Sequence, residues 1–487
     1  MRFAVFLWTS CWGVSIAPAQ TQFVQVRKQH LPALANQTQA LALGDLNGDG
    51  ALDLVIGNRR QNRLYLGDGI GSFADATAGR LPSDRDSTTA VALVDVDRDG
   101  DLDIVLGNTD TSRLIFGGRQ NRLYLNDGRG KFSDGTASRL PARREYTSSV
   151  AAGDVDGDGD PDLVFGNTTY PLSGQNRLLL NDGKGLFSDA TANLPRKGDN
   201  THDLRLADVD GDRDLDLVLA NHYGFNKLYK NNGKGVFTYV ASALPLVVDF
   251  TNAVDFGDVD KDGDLDLVFG NLLSQNKLYQ NDGKGNFTDA TVSLRFPKDS
   301  DWTNVLALRD ADGDGDLDLI VANAGQNRLY VNNGRGVFSD LTSSRMPPDG
   351  DSVSSLAVRD VDRDLDLVWG SVESLPLGQN NRLYLNLGKG TFVDATASDL
   401  PAGDTSHVDA VQSDLDGDGD PDLVFVKDSR TRPDILYLND GRGGFVEAPR
   451  SWLPQSGLAR YSSPRATWTG TETAIWFSGP RTGRSST

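Results

Sequence analysis

The chain of 487 residues contains one cysteine, Cys11, two methionines and four histidines. A lone thiol rules out a disulfide framework, a zinc ribbon and paired-cysteine redox chemistry. His30, His202, His222 and His407 lack the spacing of a metal-binding or hydrolytic histidine motif. No nucleophile elbow, Walker loop or zinc-binding run is present. Basic residues are in deficit, 48 Lys plus Arg against 68 Asp plus Glu, for a net charge of −20. No basic stripe remains to meet phosphates, so no nucleic-acid partner is expected. After residue 20 no run is long and apolar enough to span a membrane as a helix. No segment sustains a helical period.

The ends differ from the middle. Arg2, the apolar stretches Phe3 to Trp8 and Trp12 to Ile16, and the small-x-small site Ala17-Pro18-Ala19 read as a signal peptide over residues 1–19. A secreted, periplasmic or cell-surface protein is therefore expected, and Cys11 leaves with the signal. Residues 20–450 are repetitive. Residues 451–487 lose the pattern, apart from a kelch-like hairpin motif between Arg465 and Gly479, and the Gly-, Ser- and Arg-rich end is expected to lack order.

The middle holds aspartate ladders of the form D-x-D/N-x-D, recurring about every fifty residues from Asp45, Asp95, Asp154, Asp208, Asp258, Asp310, Asp360 and Asp414. Carboxylates this dense repel one another unless a hard cation sits among them. Oxygen ligands at positions 1, 3, 5 and 9, with a backbone carbonyl at 7, suit Ca²⁺. An EF-hand needs a glutamate at position 12 and flanking helices. Ile56, Leu106, Phe165 and Leu219 stand there instead, inside apolar strands. Mg²⁺ seldom accepts so many protein ligands.

About seven sites are expected. The candidate ligands are Asp45, Asn47, Asp49 and Asp53; Asp95, Asp97, Asp99 and Asp103; and Asp154, Asp156, Asp158 and Asp162. They continue with Asp208, Asp210, Asp212 and Asp216; Asp258, Asp260, Asp262 and Asp266; Asp310, Asp312, Asp314 and Asp318; and Asp414, Asp416, Asp418 and Asp422. Asn47 keeps an oxygen but loses a charge. Arg213 occupies the position-6 turn where glycine is usual, so strain is expected. The ladder at Asp360 runs through Asp362 and Asp364 to Asp366, two residues short and without glycine, and is not expected to bind metal.

Around each ladder, short runs rich in Val, Leu, Ile, Phe and Tyr alternate with Gly, Asn and Asp clusters, giving four strands per unit. In the fifth unit these are NAVDFG before the ladder, LDLV after it, NKLYQ, and a strand beginning at Phe287 after the Asn281-Asp282-Gly283 turn. Such a unit cannot bury both faces alone, so neighbours must stack. An all-β propeller of eight blades, or alternatively seven, is the expected fold, with the Ca²⁺ loops between strands one and two. The extra Gln22-Phe23-Val24 copy suggests a shared blade that joins the chain ends.

The runs Gly153 to Asn167 and Gln175 to Thr191 resemble the FG-GAP/VCBS-type repeat, a calcium-binding blade shared with the integrin α-subunit propeller and many bacterial exported proteins. The resemblance covers residues 22–448. It implies a propeller whose calcium ligands are the ladder side chains named above.

In such a fold the ladder loops share one face, and the loops between strands two and three share the other with the connections between blades. On that second face the connections over 109–120, 168–175 and 372–379 are expanded. Tyr146, Phe250 and Trp302 occupy one repeated place eight residues before their ladders, with His202 and His407 one or two residues later. With Tyr170 these are the candidate ligand-binding residues. They suit a glycan or a protein surface, or they cap the core between blades. The repeated Gln-Asn-Arg/Lys is expected to hydrogen-bond one blade to the next. The chain is expected to be a monomeric, non-enzymatic binding module. The alternatives are a calcium-dependent polysaccharide lyase or hydrolase, and a purely structural module.

Overall fold

The computed structural model describes residues 38–67, 73–109, 118–168, 174–196, 198–294, 296–298, 301–350, 353–360, 365–371, 382–394, 409–414, 419–426, 435–439 and 445–447. The architecture is all-β and propeller-like. Antiparallel four-stranded units follow one another, built from consecutive strands except in the second, where the short strand Arg119–Gln120 intervenes and pairs with Arg144–Glu145. Their first strands are Thr38–Gly44, Ser87–Val94, Thr147–Gly153, Thr201–Ala207, Val248–Gly257, Thr303–Arg309, Val353–Asp360 and Asp409–Ser413. Each first strand touches the next, and Asp409–Ser413 touches Thr38–Gly44. The signal stretch, Gln22 to Val24 and the tail after residue 450 lie outside the described residues.

Each second strand is buried on both faces, which explains its continuous apolar run. Asp53–Asn58 and Asp162–Asn167 are buried along their whole length. Glycine near the end of this strand is a packing requirement in the fifth unit, whereas the fourth and sixth units hold Ala220 and Ala322 there. A Cβ on Gly270 would stand 2.7 Å from Thr303 Cγ2 of the next unit. The third and fourth strands lie where the sequence puts them, as with Lys277–Asn281 and Phe287–Asp289.

The core is a series of clusters, each filled from adjoining units. Ala207, Val209 and Val218 of the fourth unit pack with Val254, Leu267 and Phe269 of the fifth. The cluster around Trp369 takes Val424 and Leu436 from the last unit and Leu54, Ile56 and Tyr65 from the first. Both end units are complete in four consecutive strands, so the shared blade expected from the extra N-terminal copy is not seen among the described residues.

Three features depart from the sequence expectation. Single helical turns, Thr136–Arg139 and Thr342–Arg345, follow fourth strands, and Thr77–Arg80 makes the equivalent turn with Ala78 and Gly79 outside helical backbone. They start at the repeated Asp-x-Thr, where Asp75 Oδ1 accepts the Thr77 amide and Thr77 Oγ1 accepts the Leu64 amide. The Asn-Asp-Gly turns place positive φ on glycine alone, at Gly283 and Gly285 in the fifth unit, and leave Asn281 free for another task. The fourth and fifth units also merge into one eight-stranded sheet. The strand Asp216–Phe225 overruns its unit and pairs His222 with Phe250 and Phe225 with Val248.

Candidate metal centre

The ladder is a tight loop held by its own carboxylates. In the third unit Asp154 Oδ1 accepts the Gly157 amide at 2.8 Å and Oδ2 accepts the Gly159 amide at 2.9 Å. Asp158 Oδ1 accepts the Asp160 amide at 2.9 Å. These contacts need left-handed backbone at positions 4 and 6, supplied by Gly157 at φ 78° and Gly159 at φ 89°. Arg213 takes the same conformation at φ 73°, as its place in the ladder led one to expect. Arg98 at φ 60° and Lys261 at φ 63° do so at position 4, which the sequence reading missed.

The loops gather oxygens. Asp95, Asp97 and Asp99 form one group, and Asp154, Asp156 and Asp162 another. Asp208, Asp210 and Asp212, then Asp258, Asp260 and Asp262, then Asp310, Asp312 and Asp318 complete the set. In each group the three oxygens lie within 4.8 Å of one another. An all-carboxylate set of this kind fits a hard divalent cation, which would hold the charges together. Three of the four carboxylates expected at each of these ladders converge, with Asp103, Asp158, Asp216, Asp266 and Asp314 outside these groups. In the first unit Asp45, Asn47 and Asp49 make the same loop contacts, to Gly48, Asp49 and Ala51. Asp416 and Asp418 of the last ladder lie outside the described residues, while Asp414 accepts the Gly419 amide.

Position 9 anchors the loop. Asp162 is fully buried, its Oδ2 accepting the Val155 amide at 3.0 Å and its Oδ1 the Asn181 amide at 2.8 Å. Burial pushes the carboxyls of Asp103, Asp162, Asp216, Asp266 and Asp318 up to about 7, and that of Asp53 to about 6. Asp97, Asp156 and Asp260 at position 3 are raised by burial first and by the neighbouring position-5 carboxylate next. In the seventh unit Asp366 fills the position-9 role: it is buried, faces Arg359 across the sheet and accepts the Asn386 amide. Asp362 and Asp364 of that ladder lie outside the described residues.

Among the described residues, the first six loops are each tied to the next unit. The turn asparagine between strands three and four donates its side-chain amide to the position-2 carbonyl of the preceding ladder. Asn126 reaches Leu46, Asn181 reaches Val96, Asn231 reaches Val155 and Asn332 reaches Val259, all at 2.6–2.7 Å. Arg98 and Lys261 add ion pairs to Asp160 and Asp316 of the following ladder. The Gln-Asn-Arg/Lys element also bridges units, as expected. Asn62 Nδ2 donates to Thr88 Oγ1 in the second unit, and Asn176 and Asn226 donate likewise to Thr201 and Thr251.

Second strands run away from the ladders, so their far ends mark the opposite face. Tyr146, Phe250 and Trp302 share one place there: their carbonyls accept the amides of Thr168, Leu272 and Ala324. Asn200 is the fourth member, accepting from His222. His202 stacks on His222 at 4.8 Å between ring centroids. Tyr223 meets His222 edge-on at 4.4 Å and Phe250 at 4.5 Å. The structure therefore joins His202 and Phe250 and adds His222 and Tyr223. The signal was available, since His222-Tyr-Gly-Phe225 brings two aromatic residues and a histidine into a connection that is Arg59-Arg60 in the first unit and Ala324-Gly325 in the sixth. Tyr146 and Trp302 belong to adjoining units, and Tyr170 and His407 lie outside the described residues.

A family model described as an FG-GAP-like repeat matches residues 21–106, 110–165, 168–219, 208–269, 260–321, 310–369, 362–425 and 414–467. No curated protein matches the chain. Among solved structures the chain is similar to an Agrocybe aegerita lectin described as recognising non-reducing terminal N-acetylglucosamine. The identity is 17%, the match covers 87% of this chain and 94% of that chain, and the TM-score is 0.42. It is also similar to Saccharomyces cerevisiae Sqt1, at 11% identity, covering 83% of this chain and 97% of that chain, with a TM-score of 0.48.

Proposed function

The chain belongs to the FG-GAP-like repeat family, and from that premise we propose an exported, calcium-binding propeller of eight four-stranded blades that binds a surface glycan or protein. The contact between the last and first first-strands supports closure as a ring of eight. The five aspartate triads support calcium, a hard ion that takes several carboxylates at once. Ligands of this type in extracellular modules hold calcium at about 0.1–1 mM, which suits a chain opening with a signal-like segment.

In this reading the ions are staples and the partner binds elsewhere. The first six ladders are each bound to the following unit through its turn asparagine, so an ion there would fix two blades at once. The observation that carries the binding role is the aromatic group His202, His222, Tyr223 and Phe250, with Trp302 in the next unit, on the face away from the ladders. Aromatic side chains that combine an apolar body with a polar handle are favoured contact residues.

The test is a glycan array together with pull-down from surface extracts, each with and without Ca²⁺, using the native chain and its Tyr223→Ala and Trp302→Ala variants. Calcium-dependent capture that either variant abolishes is the expected result. No capture in either format, or capture untouched by both variants, sinks the reading.

A further inference from the structure

The fourth to sixth units expose an apolar patch on the face opposite the ladders. Tyr223 is 54% exposed, Phe225 39%, Val248 62%, Leu273 63% and Trp302 39%. They are brought together by backbone pairing. Phe225 faces Val248 across the merged sheet, and Leu272, next to Leu273, bridges to Trp302. Tyr223 and Leu273 are held in left-handed backbone, at φ 65° and 61°, a conformation that costs free energy in a residue other than glycine. Three of the five side chains are aromatic and none is charged, which is the composition of a contact surface.

Residues 451–487, outside the described residues, have the complementary character. They hold three of the seven tryptophans, Trp452, Trp468 and Trp476, beside Ile475 and Phe477. Four arginines against one glutamate give this segment +3, whereas the whole chain is −20. The last described strand, Phe445–Glu447, starts opposite Asn439 at the ladder-side turn and ends opposite Tyr437. The chain therefore leaves the sheet toward the face that bears the patch. Forty residues reach about 130 Å when extended. A compact body of this size has a radius of gyration of roughly 22 Å.

We propose that residues 451–487 lie across this patch in cis, their tryptophans against Tyr223, Val248, Leu273 and Trp302. Tethering gives the segment an effective concentration of about millimolar, ahead of a second copy at ordinary protein concentrations. The proposal goes beyond the binding role: an outside partner that uses Tyr223 and Trp302 would have to displace the segment.

The experiment uses ¹⁹F spectra of the full chain labelled with 5-fluorotryptophan, with Cys11→Ser so that one introduced cysteine carries a spin label. Val248→Cys places the label on the patch. Val236→Cys places it on an exposed turn of the ladder face. Single Trp→Phe variants assign the signals, and Trp302 reports that the patch label is active. The label at 248 is expected to remove most of the Trp468 and Trp476 signal, unchanged on dilution, while the label at 236 spares both. Loss of neither signal overturns the proposal and leaves the patch open to an outside partner. Loss seen only when a labelled, fluorine-free chain is mixed with an unlabelled fluorinated one overturns it too, because the occupant is then a second copy.

Discussion

Asn281 donates its side-chain amide to the carbonyl of Val209, 2.6 Å away in the ladder of the preceding unit. The same amide reaches the Leu265 carbonyl at 3.1 Å, and the Asn281 backbone amide holds Asp266 Oδ1 at 2.9 Å. One residue thus ties two ladders and a turn. Asn281→Ala should cost about 2 kcal/mol, since it leaves two buried carbonyls without a donor. Asn281→Asp should cost more, because it aims a carboxylate at both. Calorimetry in calcium gives the losses, and equal melts for Asn281→Ala and the native chain contradict the strap.

Calcium removal should act on the whole ring. With millimolar ion and a Kd of about 0.1 mM, binding to the folded state contributes roughly 1.4 kcal/mol per site. Seven such sites give about 10 kcal/mol if additive, comparable with the stability of a domain. EDTA should therefore lower the melting temperature by many degrees, and restored Ca²⁺ should recover it where Mg²⁺ does not. A melt unchanged by EDTA refutes the staple role.

Much of this was legible because the repeat writes it many times over. The ladders, the four strands and the Gln-Asn bridge each recur as the same short motif, so local pattern sufficed. Several missed features depend on contacts beyond the local pattern, within a unit or with its neighbour. The turn form of Asn281 is readable locally, but its bond to Val209 needs the stacking of one unit on the next. Asp366 looks like the fourth rung of a shortened ladder until the register with Arg359 shows it in the position-9 place. The merged sheet and the His202–His222 stack likewise follow from an overlong strand that finds its partner only in the fifth unit.

Protons and calcium should compete at these loops. Burial pushes Asp103, Asp162, Asp216, Asp266 and Asp318 up to about 7, above the ordinary 3.8. A folded-state value above the unfolded one means that protonation favours the fold. In EDTA this stability is fully present below about pH 4 and is lost as pH rises through 7. Calcium needs the ionised carboxylates, so the loaded protein should instead lose stability as pH falls below 7. Melting temperatures from about pH 8 to about pH 5, with EDTA and with Ca²⁺, should slope in opposite directions. Parallel slopes exclude linkage between protons and ion.

The fourth and fifth units also carry buried charge where most other units carry alanine. Arg205 faces Val218 just as Ala92 faces Val105 and Ala151 faces Val164. Asp255 holds the same place in the fifth unit, opposite Val268. Asp203, fully buried, accepts from Arg205 at 2.7 Å and from the Val254 amide of the next unit at 3.3 Å. Burial pushes the Asp203 carboxyl up to about 7 even with Arg205 opposing the shift. Removing one partner strands the other, so Arg205→Ala should cost about 3–5 kcal/mol. Changing Asp203, Arg205 and Asp255 together to alanine brings both units to the common pattern and should recover most of that loss. Denaturant unfolding with calcium present compares the variants. A triple variant less stable than Arg205→Ala would mean that the charges hold the fourth and fifth units together more strongly than apolar packing does.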